Sequence, residues 1–257
     1  MICMKKMILA GLLLLGILLA GFQTGIAQQT FIFNGVIEYE RRINVHRQFE
    51  QDNESSEWFK EFLSKQPKFH NSYFNLSFNR DKGIYQPGRE ADAKMEPWMI
   101  GPAKTNIVLT DYHSEVYNSR KRVFEESFEI TDTVTKMQWK LSNETRTIAG
   151  FECRKAVGII CDSVYVVAFY TEEIPVSGGP ESFGGLPGMI LGLAVPRLYS
   201  TWFATKVELN EPPAAVFTQG KPGRSKKLAG SQLAPILTST FTDWGKRGQK
   251  FIWWSML

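Results

Sequence analysis

Residues that carry chemistry are scarce in this chain. Three histidines and three cysteines occur among 257 residues. None of His46, His70 and His113 stands in a motif with Ser, Cys or Asp. The sequence lacks a Gly-x-Ser-x-Gly elbow, a His-Glu-x-x-His pair and a Cys-x-x-Cys pair. That removes the linear signatures of acyl transfer, zinc hydrolysis and dithiol exchange. Phosphate-loop and dinucleotide spacings are missing too, so no cofactor is expected. The formal net charge of +4 is too small to imply a nucleic-acid partner. Beyond residue 22 no apolar run is long enough to span a bilayer.

The one long apolar run opens the chain and reads as a targeting segment. Lys5 and Lys6 form a basic start, and Met7 to Phe22 is Leu-rich. Gly25-Ile26-Ala27 offers small residues at a cleavage site, so residues 1–27 are expected to be a signal peptide and 28–257 one exported domain. A retained anchor is the other reading, but the run is about 16 residues, against roughly 20 for a spanning helix. Leu19-Ala20-Gly21 is followed by Phe22 rather than Cys, so no lipid anchor is expected. The exported protein should be periplasmic or extracellular, without a transmembrane segment.

What is present is mostly β pattern and aromatic mass. Val36, Glu38, Glu40 and Arg42 alternate with Ile37, Tyr39, Arg41 and Ile43, the period of a strand with one wet face. Further strands are expected at residues 73–78, 84–85, 107–109, 115–117, 139–148, 153–160, 164–171 and 198–209. Trp58, Phe59, Phe62 and Leu63 recur at helical spacing before Pro67. They predict a short amphipathic helix that packs on the sheet or lids a cavity. Residues 218–231, with Lys221, Arg224, Lys226 and Lys227, read as a flexible basic loop. Leu237, Phe241 and Trp244 then suggest a helix in the tail 232–257.

The stretch Glu181 to Leu193 organises the rest. Gly184, Gly185, Gly188 and Pro187 precede the apolar run Met189-Ile190-Leu191. Gly permits backbone angles that other residues avoid, and Pro fixes φ. The segment therefore predicts a stiff, tight loop entering a buried strand.

The run Gly185-Leu186-Pro187-Gly188-Met189-Ile190 resembles the signature of the GLPGLI family of bacterial envelope proteins, with Met189 where that signature has Leu. The positions ahead of it are similar as well. They are Gly150, Cys153 and Ala156, then Phe169-Tyr170-Thr171, Ile174-Pro175 after Glu173, Gly179-Pro180, and Phe183. Phe169 stands where the family more often has Trp. The resemblance implies a hairpin turn near Cys161 and no established activity. It implies a structural role for the signature, with Leu186 and Ile190 as core anchors.

Candidate chemistry is thin. Cys153 beside Arg154 and Lys155 is either an activated thiol or a buried structural one. On one extended strand, Cys153 and Cys161 would lie about 26 Å apart, against the roughly 7 Å a bridge allows. A turn near Gly158 would change that. Glu125-Glu126 and Glu172-Glu173 point to opposite faces of a strand and form no dyad. Asp111 and His113 share a face, but two ligands make a weak metal site.

The expected fold is α+β, mainly an antiparallel β-sheet, curved as a partly open barrel with one or two helices packed on it. The expected function is that of a non-catalytic cell-envelope protein holding an apolar ligand or lipid in the concave sheet. The alternative is a protein–protein interaction module of the envelope. An enzyme would require His70 or His113 to gather near Cys153.

Overall fold

The protein is described from a computed structural model that covers residues 31–50, 56–91, 95–134, 137–220 and 223–257. The expected signal peptide lies outside the described residues. Phe31–Leu257 forms one compact unit.

Twelve strands make one sheet: β1 Gly35–Asn44, β2 Phe69–Phe78, β3 Lys82–Pro87, β4 Ile107–Asp111, β5 Val116–Val123, β6 Glu126–Thr133, β7 Lys140–Ile148, β8 Phe151–Ile160, β9 Val164–Thr171, β10 Met189–Val195, β11 Ser200–Glu208 and β12 Lys226–Leu228. Their order across the sheet is β12-β6-β5-β4-β3-β2-β1-β11-β10-β9-β8-β7. The sheet is thus two antiparallel meanders, β1 to β6 and β7 to β11, joined where β1 pairs with β11. Only β12 runs parallel to its neighbour. The expected α+β class with a mainly antiparallel sheet is what forms, and the sheet stays open, with β7 and β12 as its edges.

Short connections set the meander. Ala149 and Gly150 both have positive φ between β7 and β8, the conformation of a two-residue hairpin turn. Between β8 and β9 the loop is one residue longer, Cys161-Asp162-Ser163, with positive φ at Cys161 and Asp162. Strand β10 is apolar along almost its whole length because both of its faces are covered. A bulge in its pairing with β9 follows Ile190, and the Tyr39 hydroxyl donates to the Ile190 carbonyl at 2.5 Å.

Four helices accompany the sheet, two more than expected. Helix α1, Val45–Glu50, continues β1 where extended chain was anticipated. The predicted aromatic helix is α2, Glu57–Ser64, capped by Ser56, whose hydroxyl accepts from the Phe59 amide. Helices α3, Gly230–Thr240, and α4, Gly245–Met256, form the tail. The loop anticipated over 218–231 is cut short, because Lys226–Leu228 pairs with β6 and Lys226 bridges Glu126 at 2.8 Å.

Most of the tail aromatics are buried, Trp244 being the exposed one. Trp254 packs against Trp202 with centroids 6.1 Å apart, and a Cβ on Gly101 would stand only 3.0 Å from its ring. Gly101 also has φ +72, so the turn geometry and the close approach both exclude a side chain there. Phe251 and Ile252 join Leu233, Leu237, Phe128 and Ile130 in a second cluster at the β6 end.

Candidate functional site

The residues singled out by the family resemblance lie on β8, β9, β10 and the segments that adjoin them, and most are buried. Cys153 and Ala156 are fully buried on β8, and Ala156 pairs with Ala168. Tyr170 and Thr171 end β9 in the core, with Phe169 nearly buried beside them. Ile174, Gly179, Pro180, Phe183, Leu186, Met189 and Ile190 are buried, Pro175 is half-buried, and Gly185 and Pro187 are exposed at the bend. Gly150 shapes the β7–β8 turn. Within the signature, Gly185 is the glycine that needs a positive φ, +80. Gly188 is required for another reason: a Cβ there would collide with the Thr171 carbonyl oxygen.

Among the described residues, Cys153 and Cys161 are free, the first buried and the second exposed. Burial pushes the Cys153 thiol up to about 12, so it is not an activated nucleophile. Asp111 spends its carboxylate on the amides of His113 and Ser114 in the β4–β5 turn. Among the described residues, no three His, Cys, Asp or Glu side chains gather as a cation site. His70 and His113 do not join Cys153: His70 is on β2, His113 in the exposed turn, and Cys153 on β8.

The structure assembles something else, a buried charged cluster. Arg41, on the core-facing side of β1, is 0% exposed. Its Nη1 donates to the Ala103 carbonyl at 2.8 Å, and its guanidinium lies over Phe74 and Trp254, at 5.2 and 5.4 Å from the ring centroids. Its Nε and Nη2 have no hydrogen-bond partner among the described residues. Glu181 is buried too, at φ +55, and accepts from the Asn106 side chain at 2.8 Å. Burial raises its carboxyl above the usual range, opposed by the Asn106 bond and the charges of Lys121 and Arg41. Lys121, buried on β5, donates to the Ser255 carbonyl at 3.3 Å, and burial brings its amine down to about 8. Tyr85 stacks on Phe74 at 5.0 Å. The space beside Glu181 and Tyr85 is about 10 Å³, room for one water and no substrate.

A cleft of about 740 Å³ opens next to this cluster. It exists because β3 ends early. Pro87 is opposite Phe74, and the Gly88 amide donates to the Tyr73 carbonyl at 2.9 Å. The first residues of β2, from Phe69 to Tyr73, therefore have β1 on one side and no strand on the other. Beside the gap, residues 95–106 form short 3₁₀ turns at Pro97–Met99 and Pro102–Lys104. Phe62 of α2, Phe74, Met95 and Ile100 supply apolar walls; His70, Arg89, Glu90, Glu96 and Lys104 supply polar ones. Arg89 is held over the Tyr73 ring and bridges Glu38 at 3.3 Å.

An aromatic ladder climbs the α2 side. Trp58, 70% exposed, stacks on Phe62 at 5.8 Å, and Phe62 stacks on Trp98 at 6.2 Å. Trp98 meets buried Phe49 edge-on at 5.7 Å. The helix thus presents its stripe partly to the core and partly to the mouth of the cleft.

Residues 160–192 match a family described as "Protein of unknown function (Porph_ging)". The matched segment contains the Gly-Leu-Pro-Gly loop, strand β9 and the turn that precedes it. No curated protein matches the sequence. Among solved structures, PNGF-II in C2 and P21 crystal forms is similar over 87% and 83% of this chain, at 17% identity and a TM-score of 0.49. The chain spans about a third of the PNGF-II length, 33% and 34% in the two forms. An uncharacterized conserved protein from Thermus thermophilus is similar over 76% of this chain and 90% of its own, at 5% identity and a TM-score of 0.37. Among the described residues no helix is long and apolar enough to cross a membrane.

Sequence reasoning weighed His70 only as a partner for Cys153 and gave Arg41, Tyr85, Asn106, Lys104, Lys121 and Glu181 no part in a site. One signal was available: Arg41 occupies an apolar-phase position between Tyr39 and Ile43. The other residues come together only through pairing across the sheet.

Proposed function

We propose that the protein is an exported, non-catalytic binding protein of GLPGLI type, which seats an amphiphilic, largely apolar ligand in the cleft beside β2. One observation carries this: the cleft is about 740 Å³ and is walled by Phe62, Phe74, Met95 and Ile100, inside the range of about 300–1,000 Å³ typical of small-molecule sites. The core-facing side of the sheet is filled by its own side chains, with Trp202, Trp254 and Arg41 fully or nearly buried. The further space under Trp254 is about 30 Å³. A ligand therefore belongs beside the sheet rather than within its concavity. Export is supported by the basic, apolar and small-residue segments of positions 5–27.

The test is calorimetric titration of the full chain with n-decanol. Saturable binding is expected, and Phe62→Ser should weaken it by removing the apolar wall. Absence of binding, together with a bare monomer mass in native mass spectrometry, would sink the reading.

The second reading, an interaction module of the envelope, draws on a different surface. Ile159 and Tyr165 face each other across β8 and β9, and both are exposed, at 47% and 59%. Cross-linking in intact cells tests it. A partner captured through Tyr165 supports this reading, and unchanged migration of the protein counts against it.

A further inference from the structure

The floor of the cleft has donors without acceptors. His70 is 4% exposed and lines the cleft, yet its Nδ1 has no partner among the described residues. Lys104 lines the same cleft, is exposed, and its amine makes no hydrogen bond or ion pair among the described residues. Behind them stands Arg41, with two of its nitrogens unpaired. A β-sheet links the three: Arg41 is opposite Ser72, two residues from His70, and the carbonyl that Arg41 holds belongs to Ala103, next to Lys104.

The charges of Arg41 and Lys104 both reach the His70 ring, and both oppose its protonation. Burial is the larger cause, and together they hold His70 down at about 4. Glu90 and Glu96 also line the cleft, but neither is among the groups acting on His70. Arg89 lines the cleft as well, so its walls carry charges of both signs, with Arg41 and Lys104 the cations that act on His70. An oxyanion seated at Lys104 would meet the field of both cations.

We propose that the ligand of this cleft carries an anionic head, a phosphate, sulfate or carboxylate, seated by Lys104 and His70 with buried Arg41 behind them. The inference rests on the reading of the cleft as a ligand site and names its chemistry. The His70 ring lines the floor under the head, while its Nδ1 is sealed from the cleft. Lys104 supplies a mobile charge at the mouth. Arg41 acts through its field, since it does not line the cleft. The apolar body of the ligand extends along Phe62, Met95 and Ile100.

The experiment is calorimetry on the full chain at fixed pH with three probes: n-decyl phosphate, n-decanol and inorganic phosphate. Decyl phosphate is expected to bind at least about tenfold tighter than decanol, the scale of one charge-assisted hydrogen bond. Lys104→Gln, at an exposed position, should lower decyl phosphate affinity by about tenfold and leave decanol within about twofold. Saturation should also raise the His70 titration midpoint seen by NMR. Equal affinities for decyl phosphate and decanol, or a Lys104→Gln loss shared by both, would overturn the inference while leaving the cleft as an apolar site. If no probe binds, the functional reading falls with it. If inorganic phosphate binds as tightly as decyl phosphate, the anion seat stands and the ligand is a free phosphate rather than a lipid head.

Discussion

The Asn106 side-chain amide donates to the Glu181 carboxylate across 2.8 Å, and both side chains are sealed from water. Asn106 leads into β4, and Glu181 opens the segment that becomes the glycine-rich signature. The bond ties one meander to the other under the charges of Arg41 and Lys121. Glu181→Gln keeps the shape and removes the only anion named in this group. It should destabilise the fold by about 1–3 kcal/mol, because the Asn106 bond loses its charged acceptor. Asn106→Ala should cost about 1–3 kcal/mol, an unsatisfied acceptor. Urea melts of both variants check this, and a Glu181→Gln protein as stable as wild type would refute the role of the charge.

Two glycines of the signature should fail differently. Gly188 is crowded by the Thr171 carbonyl, with which Met189 is paired across β9 and β10. Gly188→Ala must push strand backbone and should cost about 3 kcal/mol. Gly185 has positive φ, with Trp139 Nε1 3.7 Å from its Cβ position, so Gly185→Ala costs only the left-handed strain, about 1 kcal/mol. Thermal melts that reverse this order would contradict the steric reading.

His70 gives stability a pH signature. It is a base whose folded value is depressed to about 4 from 6.5, so between those values the unfolded chain binds a proton that the folded chain refuses. Its contribution is fully present above about pH 6.5 and is lost as pH falls toward 4. The loss is about 3 kcal/mol. The difference in unfolding free energy between wild type and His70→Gln should therefore change across that window and flatten below it. A difference independent of pH would show that His70 is not buried and neutral.

Thiol labelling separates the cysteines. In a Cys3→Ser chain, Cys161 at the exposed hairpin tip should react with a disulfide reagent in the native state. Cys153, buried with its thiol held up to about 12, should react only on unfolding. Two fast equivalents would place Cys153 at the surface, and none would indicate a bridge.

The strands were largely legible because alternation reflects a local fact: successive side chains leave a strand on opposite faces. β1 follows that pattern throughout and β9 over its first half. Helix α1 was not legible. Val45–Glu50 is too short for a helical period to declare itself, and it directly continues β1. The strand β12 was hidden in a Lys-rich run because its register comes from β6, distant in sequence. Cys153, Ala156, Ile174 and Leu186 were visible as a set of positions, but their role in packing emerged only from burial.

The amino-acid sequence by itself determined the β character, the hairpin turns and the tight bend at Gly185-Leu186-Pro187-Gly188, since these depend on near neighbours and on what glycine and proline permit. It also put Arg41 on an apolar face without saying why. Only the tertiary structure decided that Arg41, Asn106, Lys121 and Glu181 share one dry interior, and that the early end of β3 leaves a cleft over His70 and Lys104. Those groups are brought together by strand pairing and by the docking of α4. Charge and cavity there depend on distances in space that no sequence spacing encodes.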